Sequence, residues 1–495
     1  MNILLATSEV VPFSKTGGLA DVSGALPRVL AEQGTNVSVI TPAYGCVKQS
    51  GHSLSPTGIE LEIPIGNRIV KGRILQGTLP ETDVPVYFVE QDEYFDRPQL
   101  YQEAGEDYRD NCERFVFFCR AVLEAVRLLD LNIDVIHCND WQTGLIPAYL
   151  KIEYRGIPKY EGIATVFTIH NLAYQGRFWH WDMLITGIDW KYFNWHQMEF
   201  YGDLNLMKTG IVFADWITTV SPTYAHEIQT GELGCGLEGA LSHRSNELTG
   251  ILNGVDYAAW DPAHDSHLVA NYNADTWQQG KTDSKLALQA EVGLPAQKET
   301  PLVGFIGRLA SQKGLDLIRT VIEERVAHEQ VQYVILGSGQ PDYEAFLRDM
   351  AAQHPDKVAV RLEFSNPLAH RIEAGSDIFL MPSRYEPCGL NQMYSLKYGS
   401  VPVVRHTGGL ADTIIDCTDA TLANRTANGF SFHEYHSEAL HQALGRALEA
   451  YRHRETWGQL VETGMRQDWS WTQSARKYGE LYETVLANVR HPSNV

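Results

Sequence analysis

The chain has 495 residues, of which 44% are hydrophobic and 10% aromatic, enough for two to four cored domains at roughly 150 residues each. Forty basic against 61 acidic side chains leave a net charge of −21, which excludes nucleic acid and anionic membranes as general partners, because both reward a basic surface. Seven scattered cysteines with no CxxC pair fit a reducing, cytoplasmic setting.

In chain order, the opening "MNILLATSEVVPF" has neither a basic n-region nor a small-residue cleavage site, so it reads as a first strand and not as a signal peptide. Further strands are expected at "NVSVITP", "VPVYFVE", "DVIHCND", "ATVFTIH" and "WITTVSP", with amphipathic helices such as "LADVSGALPRVLAEQG" between some of them. No apolar run approaches the roughly 18 residues that a membrane helix needs. Composition turns polar over residues 242–300, which reads as a hinge and an exposed excursion, with a domain boundary near residue 250. The scheme then repeats, with strands at "LVGFIGR", "VQYVILGSG", "VAVRLEF", "DIFLMPS" and "VPVVRHT" and a closing helix after Trp469 and Trp471. Nearly continuous apolar strands alternating with helices give an α/β class, with buried parallel sheets covered on both faces.

One hexapeptide, "TGGLAD", occurs twice, at residues 16–21 and 407–412, each time at a strand-to-helix junction and after a basic residue. Glycines there let backbone amides approach an anion, and the helix that follows adds its positive end. A single copy reads as a tight turn with packing glycines rather than as a ligand site. Two copies in two parallel-sheet domains point to ligand sites beyond the strand ends, both turns lining one cleft. Valine at Gly18 or at Gly408 is therefore expected to damage turnover far more than folding.

"FIGRLASQKGLDLI" puts Arg308 and Lys313 on one loop after a strand, a pair suited to a diphosphate in an acidic protein, or else two solvated surface cations. Glu386 follows a strand and precedes Pro387, Cys388 and Gly389 at a helix start, where a carboxylate either holds sugar hydroxyls or stabilises the first turn. His170 in "TIHNLAYQG" and the pair Asp140 and Trp141 in "HCNDWQTG" lie at other strand ends. "LGSGQPD" lacks the third glycine of GxGxxG, there is no GxxxxGK[ST], and no Asp-x-Asp or His/Cys cluster has metal spacing. A diphosphate would be neutralised by protein cations alone, with no metal or cofactor.

Together these strings, with "VSPTYAHEI", "GILNGVDYAAWDP" and "GFSF", resemble the bacterial glycogen synthase and plant starch synthase family over essentially the whole chain. The resemblance implies a GT-B fold, two Rossmann-like domains (1–250 on the acceptor side, 251–468 on the donor side) facing a central cleft, and a 469–495 helix crossing back to the first. It implies retaining transfer of glucose from ADP-glucose to the non-reducing end of an α-1,4-glucan such as glycogen. UDP-glucose or another acceptor is the alternative. Carried over by position, Lys15, His170, Arg308, Lys313 and Glu386 would be catalytic. Donor binding would add Gly17, Gly18, Asn253, Phe364 (stacked on adenine), Cys388, Gly389, Leu390, Asn391, Thr407 and Gly408. Asp140 and Trp141 would meet the acceptor. Tyr394 stands where many related enzymes have a second glutamate, so a two-carboxylate mechanism is not expected.

Overall fold

The computed structural model describes residues 1–103 and 105–491. The chain divides into two compact units, one of Met1–Gly254 and Trp471–Val495, the other of Val255–Ser470.

The first unit holds a nine-stranded sheet. Seven strands are parallel: Asn2–Ala6, Asn36–Pro42, Pro85–Glu90, Val135–Asn139, Ala164–Ile169, Trp216–Thr219 and Leu248–Gly250. In chain order their positions across the sheet run 3-2-1-4-5-6-7. Ala164–Ile169 and Val135–Asn139 are buried along their whole length, as strands covered by helices on both faces must be. The edge beyond Pro85–Glu90 is completed by an antiparallel hairpin, Ser55–Ile65 with Arg68–Thr78. That hairpin was not expected from the sequence, although the alternation in "LEIPIGNRIVKGRI" around a Gly66-Asn67 turn signals one, with Gly66 at φ 58°.

The helix Trp471–Arg490 packs within the first unit. Trp471 lies against Gly254, Ser474 donates to the Leu252 carbonyl at 2.5 Å, and Arg490 pairs with Asp134 at 2.5 Å. Its Tyr482 hydroxyl meets His137 Nδ1 at 2.7 Å inside the sheet's central strand, while His137 Nε2 lies 2.5 Å from Thr168 Oγ1. A fully buried histidine needs such partners on both nitrogens.

The second unit is a six-stranded, wholly parallel sheet of Leu302–Ile306, Gln332–Leu336, Val358–Arg361, Ile378–Met381, Val401–Arg405 and Phe430–Phe432. Its order is 3-2-1-4-5-6, the doubly wound arrangement. Two apolar clusters cover its faces, one containing Val303, Tyr333, Ile378 and Val403, the other Leu302, Val334, Phe379 and Val404. Tyr394, conspicuous in the sequence, stacks on Trp260 with ring centroids 4.0 Å apart, and Trp260 stacks in turn on His370 at 3.7 Å. Among the described residues no helix is long and apolar enough to cross a membrane.

Candidate active site

In a doubly wound sheet the chain leaves strands 1 and 4 in opposite directions, which opens a crevice at their carboxyl ends. Each unit has one such point; Arg308, Lys313 and Glu386 lie on loops at one, and Asp140 and the first TGGLAD follow strands at the other.

In the second unit the point lies between Leu302–Ile306 and Ile378–Met381. The loop after the first carries Arg308 and Lys313, and the loop after the second carries Glu386. Lys313 Nζ lies 2.6 Å from Glu386 Oε2, which also accepts from Ser383 Oγ at 3.0 Å. The carboxylate is buried, and its Oε1 carries no hydrogen bond among the described residues. The two loops are laced together: Gln312 Nε2 donates to the Tyr385 carbonyl, Arg384 N–H to the Gln312 carbonyl, and Asn391 Nδ2 to the Ile306 carbonyl. Arg308 is exposed and makes no hydrogen bond or ion pair among the described residues. The crevice therefore offers one unengaged guanidinium, one ammonium shared with a carboxylate, and one free carboxylate oxygen.

The second TGGLAD braces this arrangement. Gly409 N–H donates to the carbonyls of Glu386 and Pro387, both at 3.2 Å. Gly408 has φ 45°, and a Cβ there would sit 1.9 Å from the Glu386 carbonyl oxygen; one on Gly409 would sit 2.0 Å from that of Cys388. Both glycines exist because the 386–388 backbone presses on them. The expectation that valine at Gly408 spares folding is thereby overturned. Thr407 is buried, as is Cys388, while Gly389 turns with φ 71° and Leu390 caps the helix Asn391–Tyr398. Gln392, which the sequence reading passed over, ties this turn to the 413 region by donating to the carbonyls of Cys388 and Gly389 and to Thr413. Phe364, beyond the strand Val358–Arg361, is 88% exposed, an aromatic face open to a ligand.

In the first unit the corresponding point lies between Asn2–Ala6 and Val135–Asn139. The first TGGLAD follows the former, and it differs from the second. Thr16 and Gly17 donate their N–H groups to Glu9 at 2.5 and 3.2 Å, and Thr16 Oγ1 and the Tyr101 hydroxyl complete the carboxylate's shell. These amides already hold an internal anion, contrary to the reading that leaves them to a ligand. Glu9 went unnoticed in the sequence, although an acid between a strand and a glycine-rich turn was the available signal. Nothing lies within 4 Å of a Cβ built on Gly17 or Gly18, so the space over the turn is open. Lys15 is exposed and pairs with Asp21 at 2.7 Å.

After Val135–Asn139 comes Asp140, held at φ 55°, a sparsely populated conformation for a non-glycine residue. Its Oδ1 accepts the His170 N–H at 2.8 Å. Burial pushes its carboxyl up to about 7, against the lowering pull of the His170 and Asn171 amides. Asn139 gives both Nδ2 protons to the carbonyls of Ala6 and His137, which leaves Oδ1 as acceptor for His170 Nε2 at 2.9 Å. His170 is thus the Nε2–H tautomer with a free Nδ1 lone pair. Burial lowers its pKa to about 3. The Trp141 ring packs edge-on against Phe115 and Phe178 and lies over Gly176, so much of the indole serves packing. Asn253 is buried, with Oδ1 unpartnered.

These histidines make a pH prediction. His137 and His170 both drop from 6.5 to about 3 through burial. Between those values only the unfolded chain takes up their protons, so stability is full above about 6.5 and falls as pH drops toward 3, by about 1.4 kcal/mol per pH unit for each histidine. Asp140 works with the opposite sign between 3.8 and about 7. Thermal melts of His170→Gln and His137→Gln should both show a shallower acid loss than the parent chain; slopes equal to the parent's in both variants would refute the burial argument.

Residues 2–243 match the starch synthase catalytic domain, and residues 290–462 match glycosyl transferases group 1. A glycogen synthase of Rhodopirellula baltica is 48% identical over all of both chains. One from Anaeromyxobacter dehalogenans is 49% identical over 98% of this chain and all of its own. This chain belongs to the glycogen and starch synthase family of glycosyltransferases. The catalytic domain of starch synthase IV from Arabidopsis thaliana, solved bound to ADP and acarbose, is similar with a TM-score of 0.89 at 35% identity, covering 98% of this chain and 99% of that one. A sucrose-phosphate synthase from Thermosynechococcus elongatus shares the fold alone, with a TM-score of 0.59 at 16% identity. The family's GT-B architecture accounts for two doubly wound sheets in one chain, and the chain is a glycosyltransferase.

Proposed function

We propose that this chain is a glycogen synthase, transferring glucose from ADP-glucose to the non-reducing end of an α-1,4-glucan with retention at the anomeric carbon. The observation that carries this reading is the second unit's crevice, where unpaired Arg308 and the Lys313–Glu386 pair meet between strands 1 and 4. A nucleotide sugar presents two chemistries there. Its diphosphate meets Arg308 and Lys313, and its hydroxyls meet the free oxygen of Glu386. Breaking the anomeric bond puts charge on the departing diphosphate, and cations fixed before reaction stabilise that charge most. We also assign Lys15, with Gly17 and Gly18, to donor binding. Asn253, Cys388, Gly389, Leu390, Asn391, Thr407 and Gly408 seat the donor, and Phe364 stacks on its base.

With no second carboxylate at position 394, the glucan hydroxyl attacks from the leaving group's own face and passes its proton to the departing phosphate. His170, neutral above about pH 3, contacts the transferred sugar as a hydrogen-bonding group and not as an acid. Asp140 and Trp141 serve the acceptor. The relatives' names and the ADP and acarbose of the Arabidopsis structure support this assignment.

The test is ADP release and glucan growth with ADP-glucose and glycogen, run beside UDP-glucose; no transfer from ADP-glucose overturns the reading. Among the described residues no group of three or more His, Cys, Asp or Glu side chains is placed to hold a metal ion. We therefore expect activity to survive exhaustive chelation. Loss with EDTA that Mg²⁺ or Mn²⁺ restores would count against protein cations as the sole counter-charge.

A further inference from the structure

The first unit exposes aromatic side chains that neither switch point uses. Four of the chain's eleven tryptophans fall at positions 179, 181, 190 and 195. Trp179 is 62% exposed, Trp181 48% and Trp195 69%. Large contiguous apolar surface of this kind marks a binding face.

Trp179, Trp181, Trp190 and Phe193 form one continuous run. Trp179 to Trp181 is 6.4 Å between centroids, Trp181 to Trp190 is 5.5 Å, and Trp190 to Phe193 is 5.1 Å. Successive planes tilt by 69°, 35° and 33°, so the run is curved and not flat. It is also held in place. Lys208 Nζ donates to the carbonyls of Trp195 and Glu199, both at 2.6 Å, Asn194 Nδ2 to that of Lys191, and Asp189 caps the turn through Lys191 N–H. In the strand Arg177–Trp179 adjacent side chains alternate faces: Phe178 points to Trp141, so Trp179 points away from it.

We propose that this run is a docking platform for an α-1,4-glucan chain, separate from the residues that carry out transfer; the choice of glucan rests on the glycogen synthase reading above. A glucosyl ring has an apolar C–H face that covers an indole and hydroxyl edges that need hydrogen-bonding neighbours, here His180, Lys191 and His196. An α-1,4-linked chain coils, which suits tilted rings better than a flat stack. Residues 174–201 carry two basic and three acidic side chains, close to neutral in a strongly acidic protein, as a neutral polymer requires. Phe178, the residue before Trp179, packs on Trp141, so the platform shares a strand with the acceptor-side aromatic but faces away from it, as a site separate from transfer requires. Holding a branched polymer there raises the local concentration of its chain ends.

The experiment uses the full chain and Trp179→Ala/Trp181→Ala. Both side chains are exposed, and thermal melting checks the fold. We expect retention in glycogen-containing native gels to weaken at least about tenfold and KM for glycogen to rise similarly, with kcat and the kinetics on maltotriose unchanged. Unchanged retention and KM overturn the platform, as does an equal loss on maltotriose, which would place these rings at the transfer site. A changed sedimentation coefficient with unchanged glycogen retention would assign the face to a second copy of this chain. Tryptophan-dependent pelleting with phosphatidylglycerol vesicles would assign it to lipid. If the parent chain fails to extend maltotriose from ADP-glucose, the proposed reaction fails, while the retention assay still judges the platform.

Discussion

Arg308→Ala is expected to lower kcat at least about a hundredfold with an unchanged melting temperature. The magnitude is that of removing one preorganised donor from a charge that develops in the transition state. The clean separation from folding is a structural consequence: the guanidinium is exposed and engages nothing among the described residues, so its removal leaves no orphaned partner. Lys313→Ala should cost at least as much in kcat but should also disturb the protein. It strands the buried Glu386 carboxylate with Ser383 as its remaining partner among the described residues, and a buried charge that loses its counterion is costly. The double variant Lys313→Ala/Glu386→Gln should melt higher than Lys313→Ala alone, because the stranded charge is gone, without recovering turnover. Steady-state kinetics on folded variants decide the matter. Near-parental kcat in Arg308→Ala would remove that side chain from the donor site.

The second large effect separates the two copies of one hexapeptide. Gly408→Val should prevent normal folding of the second unit. A Cβ would overlap the Glu386 carbonyl at 1.9 Å, and valine would have to adopt φ 45°. Steric conflict with backbone and a left-handed conformation for a β-branched residue together belong to the exceptional class of losses, above about 4 kcal/mol. Gly18→Val should melt within a few degrees of the parent, because nothing stands within 4 Å of its Cβ and the residue opens a helix. Its turnover with ADP-glucose should nevertheless fall at least about tenfold, since the valine fills the open space beside Lys15 that we assign to the donor. Expression, melting temperature and kcat for both variants read this out. A soluble Gly408→Val with the parent's melting curve would contradict the packing argument, and a fully active Gly18→Val would leave the first turn with no part in binding.

Local pattern was enough for part of the architecture. All eleven strands expected from the sequence form, because β-branched runs such as "ATVFTI" and "VPVVR" satisfy a buried parallel strand whatever lies beside them. The chemistry-bearing residues were legible for the same reason: Arg308, Lys313, Glu386, His170 and Asp140 are each read from a strand that ends just before them. The Ser55–Ile65 and Arg68–Thr78 hairpin escaped, because its half-covered strands carry none of the continuous apolar runs by which the buried parallel strands were read.

What the sequence by itself determined is therefore which segments become strands and helices, and which side chains stand at strand ends. Strand order across each sheet was decided by tertiary structure, because pairing joins segments far apart in the chain, and that order opens the crevices between strands 1 and 4. Tertiary structure also gave identical hexapeptides opposite duties. At residues 407–412 the neighbouring backbone of 386–388 fills the space a Cβ would need, whereas at residues 16–21 the carboxylate of Glu9 takes the amides and leaves the glycines open. Six identical letters cannot encode that difference, since it resides in what the rest of each fold brings against them.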